Sequence, residues 1–202
     1  MFKYKIPQIL QFLTPSITWR VKSPGKSVYL TFDDGPHPEI TPWVLSVLSQ
    51  FNAKATFFCV GENVTKFPAT YHAVLKAGHT VGNHSFNHLN GWKTVNESYF
   101  ENISKCAEVV HSDLFRPPFG RIKFSQIKKL KQQFRIIMWE VLSRDYEKNL
   151  DTNDAIRKLK RYIRKGSVIV FHDSAKAEQN LKIILPGILQ YLHNNGFEMK
   201  SL

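Results

Sequence analysis

With 202 residues and 43% hydrophobic content, the chain can bury one sizeable core and make one domain. An aromatic content of 13%, with 15 phenylalanines against 10 glycines and 10 prolines, excludes a disordered chain. A formal charge of +12 would attract nucleic acid, an anionic membrane surface or an anionic cell-wall polymer, or else simply solvate the surface.

The solvated surface is the simpler reading, because the basic residues concentrate in 128–131 and 157–165. The second stretch also carries Ile156, Leu159, Tyr162 and Ile163 at helical spacing, a core-facing stripe beneath a charged face. No nucleic-acid partner is expected, and peripheral membrane contact through the basic surface stays open.

At the N-terminus, Pro7, Gln8, Gln11 and Pro15 interrupt the apolar residues, and no small-residue cleavage site follows. A secretory signal is therefore not expected, and the segment is too short and polar to span a bilayer. Residues 1–27 read as an N-terminal extension packing on a domain of residues 28–202. Taken literally, this places the chain in the cytoplasm, with envelope association as the alternative.

From there, apolar β-branched and aromatic runs alternate with helical patterns. Residues 28–32 predict a strand, and a helix lies within 40–51. Residues 55–60 predict a second strand, 67–77 a helix ended by Gly78, 79–83 a third strand and 95–111 a helix. Residues 114–116 are short and extended, because Pro117 and Pro118 oppose helix there. Helix follows over 125–133, strand over 135–141, helix over 152–164, strand over 167–172, helix over 179–194 and a last strand over 197–200. Cys59 and Cys106 fit no zinc spacing and read as buried thiols, a single disulfide being the alternative.

Strands alternating with helices imply a parallel sheet of crossover units, closed into a barrel or open. In either case the site belongs at the C-terminal ends of the strands. Polar residues gather there: Asp33 and Asp34 after the first strand, His84 and His88 after the third, Arg116 after the fourth, Asp145 after the fifth. His172 closes the sixth.

Adjacent strand residues point oppositely, so Asp33 and Asp34 suit different roles, one binding a metal and the other acting as a base. Paired turn acids accepting backbone hydrogen bonds are the plainer alternative. On a helical turn, His84 and His88, four residues apart, would share one face. His37, His72, His79, His111 and His193 have no such partner and read as structural.

Two imidazoles and a carboxylate leave positions open on a divalent ion, as catalytic sites do. Zinc is the default, with iron, cobalt or nickel as alternatives. Arg116 can pin a carboxylate and keep it ionised, and the proline pair can hold the backbone amide that follows toward a developing oxyanion. His172 can donate a proton to a leaving amine near neutral pH, its protonated form favoured by an acid such as Asp145.

The motifs Thr31-Phe32-Asp33-Asp34-Gly35-Pro36, His84-Ser85-Phe86-Asn87-His88, Arg116-Pro117-Pro118-Phe119-Gly120 and Phe171-His172-Asp173, in this order, resemble the polysaccharide deacetylases, the NodB-homology domain of carbohydrate esterase family four. The resemblance runs from about Val28 to the C-terminus. It implies a distorted (β/α) barrel with about seven parallel strands and a metal-dependent hydrolase removing N-acetyl groups from amino sugars. In that family's terms Asp33 would be the catalytic base, and Asp34, His84 and His88 the metal ligands. Arg116 would orient Asp33, and the Phe119 N–H would share the oxyanion with the metal. His172 would be the general acid, tuned by Asp145, and Tyr146 and Pro118 would line the sugar groove.

The chain departs from the family pattern where Asp-x-x-Asp-Trp is usual and Leu142-Ser143-Arg144-Asp145-Tyr146 stands. That substitution bears on the aromatic wall of the groove more than on the chemistry. Phe119 replaces a frequent tyrosine, and Val170 a usual leucine. Hydrolysis of another amide or imide C–N bond or of an O-acetyl ester is the neighbouring expectation. A non-catalytic polyanion-binding protein is the remote one, having no need of a base, three ligands and an acid together.

Overall fold

The computed structural model describes residues 4–23 and 25–202. In chain order the elements are α1 (Gln8–Leu13), β1 (Ile17–Thr18), β2 (Ser27–Asp33), α2 (Ile40–Gln50), β3 (Ala55–Cys59), α3 (Gly61–Lys66), α4 (Pro68–Lys76), β4 (Thr80–Asn83) and α5 (Asn96–Ala107). They continue with β5 (Leu114–Phe115), α6 (Phe124–Leu130), β6 (Arg135–Ile137), β7 (Val141–Leu142), α7 (Thr152–Tyr162), β8 (Val168–His172), α8 (Glu178–Asn194) and β9 (Glu198–Lys200).

All strand pairs between these elements are parallel, in the order β1-β6-β5-β4-β3-β2-β8-β7, with β9 added beside the start of β2. The curled sheet with helices around it is the expected distorted (β/α) barrel. The central strands β2 and β3 are buried along almost their whole length, which is why they read as continuous apolar runs without alternation.

The nine strands among the described residues exceed the expected seven for two reasons. Ile17–Thr18, ahead of Val28, pairs with Ile136 and Ile137 at the sheet edge. The expected single strand over 135–141 is broken into β6 and β7 by Met138, Trp139 and Glu140. β6 pairs with β5 and β7 with β8, neighbours from the two ends of the strand order. One straight strand cannot reach both, so the segment kinks where the sheet curls round on itself. The amide of Met138 goes to Thr18 O (2.8 Å) and that of Glu140 to Val168 O (3.0 Å), so the break leaves neither orphaned.

Strand periodicity decides which residues face the barrel interior. Phe32 sits opposite Phe57 and Phe171 on its two neighbours, and the three rings stack at 4.9 and 5.6 Å. They face the helical layer, in the cluster that holds Leu181, Leu185 and Leu189 of α8. Thr31 and Asp33, one residue to either side, therefore face the interior.

Cys59 and Cys106 are buried free thiols, so no disulfide forms. In α7, Ala155 and Leu159 are buried beneath the basic face, and Asp151 caps the helix by accepting from Asp154 N–H. Among the described residues no helix is long and apolar enough to cross a membrane.

Candidate active site

Arg116 is the largest fully buried side chain of the described protein. It leaves the end of β5 and crosses the barrel interior, its guanidinium 4.1 Å from the centre of the Phe58 ring. One arm donates to Asp33 Oδ1 and to Thr31 Oγ1, each at 2.7 Å. The other nitrogens donate to Ile137 O (3.2 Å) and Met138 O (3.0 Å), carbonyls at the break between β6 and β7. The kink that closes the barrel thus also supplies the acceptors that fix the arginine. Burial pulls the guanidinium below its ordinary value while Asp33 holds it up.

Asp34, the next residue, leaves the strand with φ of 78° and turns its carboxylate away from Asp33 toward two imidazoles. His88 Nε2 lies 3.1 Å and His84 Nε2 3.7 Å from Asp34 Oδ1. Burial alone would raise the Asp34 carboxyl, but the His88 contact and the nearby His172 and His84 hold it well below the usual carboxylate range.

The histidine pair does not ride on a helical turn. Residues 84–88 form a loop in which Ser85 and His88 adopt φ of 60° and 54°, bringing the rings to 5.1 Å. Local side-chain bonds replace helical ones there: Asn83 Oδ1 accepts from Ser85 N–H and Ser85 Oγ from Leu89 N–H. The His84 Nδ1–H can donate to Arg116 O at 2.8 Å, which leaves its Nε2 lone pair facing Asp34. Burial pushes His84 down to about 4, so this imidazole is neutral near pH 7, as a ligand must be.

Helix α3, which the sequence pattern does not announce, holds this arrangement together. Its first amides, Gly61 and Glu62, donate to Ser85 O and Phe86 O, and Asn63 Nδ2 donates to Asp34 O. A Cβ on Gly61 would fall 2.6 Å from the Phe86 ring, so only glycine lets the helix end approach the histidine loop. The signal available in the sequence is that glycine directly after an apolar strand.

Across the cleft His172 ends β8. Asp145 takes both its Nδ1–H (2.7 Å) and its backbone N–H (2.9 Å). Burial works against the imidazolium, but Asp145 outweighs it and raises His172 to about 9. Asn180 in turn holds the Asp145 carbonyl at 2.8 Å. Tyr146 stands edge-on to the His172 ring at 4.9 Å.

Asp33, Asp34, His84, His88, Tyr146 and His172 line one cavity of about 230 Å³, together with Phe119, Arg121, Trp139, Leu142 and Lys176. Phe119 lies in a tight 3-10 turn with φ of 61°, its ring 4.5 Å from that of His88. Pro118, expected in the groove, is instead buried under that turn and does not line the cavity; the exposed Phe119 ring takes its place. Trp139 enters from within the strand break and Leu142 from the end of β7, and a reading of 135–141 as one regular strand misses Trp139. His79, read as structural, is buried and accepts from Ala55 N–H.

The ligand atoms of Asp34, His84 and His88 all lie within 4.8 Å of one another, and this is the one such cluster among the described residues. One carboxylate and two imidazoles open toward the cavity, that of His84 oriented by its bond to Arg116 O, fit a divalent cation.

Comparison with known proteins gives a concordant picture. The family model described as polysaccharide deacetylase matches residues 20–133. The chain is 33% identical over 197 residues to a peptidoglycan-N-acetylglucosamine deacetylase of Bacillus cereus, covering 94% of this chain and 92% of that one. It is 33% identical over 171 residues to a chitooligosaccharide deacetylase of Azorhizobium caulinodans, covering 79% of this chain and 80% of that one. Among solved structures, a peptidoglycan N-acetylglucosamine deacetylase bound to an N-hydroxybenzamide superposes with a TM-score of 0.87 at 31% identity, covering 95% and 93% of the two chains.

Proposed function

The chain belongs to the polysaccharide deacetylase family, and from that premise we propose how its cleft removes N-acetyl groups from the amino sugars of a poly- or oligosaccharide and releases acetate. The enzyme is a metal-dependent hydrolase of C–N bonds other than peptide bonds. One observation carries the reading: an arginine-pinned aspartate and an aspartate-pinned histidine face each other across the convergent Asp34, His84 and His88.

Asp34, His84 and His88 would hold a divalent ion, which would supply Lewis acidity at the mouth of the cavity. The donor set favours zinc, with cobalt, nickel or iron as substitutes. Asp33, held in place by Arg116, takes the proton of the water. The Phe119 N–H donates to the oxyanion as the carbonyl becomes tetrahedral, an interaction worth about 3 kcal/mol in comparable sites. His172, with Asp145 on Nδ1, hands the proton on Nε2 to the departing amine. Tyr146 and the Phe119 ring give the sugar two aromatic walls.

The test is acetate release from N-acetylglucosamine oligomers by the full chain. Chelation is expected to abolish it and zinc to restore it. Asp33→Asn, which keeps the shape but cannot take a proton, is expected to lower kcat by about 10²–10⁴. Zinc-loaded protein that frees no acetate, or an Asp33→Asn protein as active as its parent, would overturn the reading.

A further inference from the structure

The end of the barrel opposite the cleft carries an apolar surface that the chemistry above does not use. Ile9, Phe12 and Leu13 of α1 are 66%, 84% and 63% exposed, Phe12 being the most exposed large hydrophobic among the described residues. Spaced three and four residues apart, they share one face of the helix.

The chain on either side of α1 fixes where that face lies. Ahead of the helix, Ile6 N–H donates to the carbonyl of Glu140, one residue before β7 (3.0 Å). Behind it, Ile17 N–H donates to Thr14 O (3.0 Å), and Ile17 pairs with Ile136 of β6. The helix therefore crosses the seam between β6 and β7 on the side where strands start. Asp33, Arg116 and His172 stand where strands end.

Basic side chains gather at the same end. Glu140, whose carbonyl holds Ile6, has its carboxylate on Arg164 and on Ser167 Oγ (2.8 Å), just before β8. Arg164 and Lys165 line a surface hollow with Arg20 and Lys22. The backbone there is fixed: Arg20 bridges Ser167, and Val21 N–H donates to Gly166 O (2.9 Å). Arg20 and Lys22 are exposed, and among the described residues neither has a carboxylate within 4.0 Å. Arg161, exposed in the last turn of α7, adds to the charge. Glu198, the acid beside the start of β2, is paired with Lys200.

A soluble polyanion would satisfy the cations and leave the apolar face in water. A second copy would cover the apolar face and bring like charges together. An anionic bilayer accepts both, taking apolar side chains below its headgroups and cations among its phosphates. From this pairing we infer that α1 and the basic residues beside it dock the enzyme on an anionic lipid surface, with the cleft facing away from the lipid. Three apolar side chains make a shallow wedge, so the docking is peripheral and reversible.

The test is co-sedimentation of the full chain with vesicles of phosphatidylcholine and phosphatidylglycerol in equal parts, and with phosphatidylcholine alone. Binding is expected to the first and not to the second, and to weaken as salt is added. Phe12→Ser/Leu13→Ser is expected to lower affinity for the anionic vesicles at least about tenfold. Arg20→Gln/Lys22→Gln is expected to lower it by about tenfold. All four side chains are exposed, so Tm and acetate release from soluble oligomers should stay unchanged. Because Cys59 and Cys106 are buried, an environment-sensitive dye on Phe12→Cys reads insertion, as a blue shift with anionic vesicles only.

Equal binding to both vesicles, binding to neither, or full binding by Phe12→Ser/Leu13→Ser would overturn the inference. So would a parent dimer that this variant dissolves, since a second copy would then be what covers the face. Binding is read without turnover, so a failure here leaves the deacetylase reading untouched, and the reverse holds too.

Discussion

The two halves of the cleft are built from different kinds of backbone. Asp33, Arg116 and His172 stand at or just beyond the ends of regular strands, and their partners Thr31, Ile137 O, Met138 O and Asp145 are buried around them or beside the strand ends. Asp34, His88 and Phe119 instead stand at positive φ, as does Ser85 beside His84. Such backbone costs roughly 1–3 kcal/mol per residue and persists only where the surroundings impose it. The proton-transfer groups are thus set by sheet geometry, and the cation-holding groups by loops that α3 ties together. The first half can be unmade by removing a charge; the second should tolerate changes that ease its backbone.

The sharpest way to break the strand-built half is Arg116→Met. The variant keeps an apolar stem against Phe58 but strands Asp33 as a buried, unpaired carboxylate and removes the donor from Ile137 O and Met138 O. Removing one partner of a buried pair typically costs about 3–5 kcal/mol. Urea denaturation of the metal-free protein should report a loss of that size, with kcat falling as well. A loss below about 1 kcal/mol would show that water or another donor replaces the guanidinium, and that sheet geometry alone positions Asp33.

The same division explains what the sequence discloses. Thr31, Phe32 and Asp33 alternate with the strand, and a strand's inward and outward faces follow from counting residues. So do the barrel class, the strand ends and the residues at them, because crossover topology forces ligands to the C-terminal ends. Counting fails at residues 84–88, where four-residue spacing suggests a helical turn and left-handed backbone does the same task. It fails again at 135–142, where an apolar run hides a kink that only closure of the sheet requires. Pro118 and the small helix α3 belong to the same class: their positions depend on what lies across the cleft. Trp139, Arg121 and Lys176 are cleft residues for that reason too, and no local pattern marks them.

A second effect concerns His172. Its folded pKa of about 9 lies above the ordinary imidazole value of 6.5, so the contact with Asp145 contributes stability that is complete below about pH 6.5. That contribution declines as pH rises and is gone above about 9. In the metal-free protein, stability to urea should therefore fall across that interval. Asp145→Asn should flatten the fall, because burial then opposes the imidazolium with only Asp34 and Asp33 left to favour it. Proton NMR of the imidazole carbons should place His172 near 9 in the parent and lower in the variant. Equal titration in the two proteins would mean that something other than Asp145 sustains the imidazolium.

The smallest effect tests the loop-built half. At φ of 61°, Phe119 occupies backbone that glycine adopts freely and other residues adopt at a cost. Phe119→Gly relieves that cost but loosens the unfolded chain, which offsets about 0.4–1 kcal/mol of the gain. The ring lost is already 57% exposed, so little burial goes with it. The net change in stability should stay within about 1 kcal/mol, and the turn should keep its shape, since Gly120 N–H and Arg121 N–H still donate to Pro117 O and Pro118 O. If the backbone amide at this position is the oxyanion donor, kcat on short oligomers should remain within about tenfold of the parent. The loss of an oxyanion donor costs about 10²–10³. A fall of that size in Phe119→Gly would assign the effect to the ring against His88, and would make the loop's side chain, not its left-handed backbone, the working part.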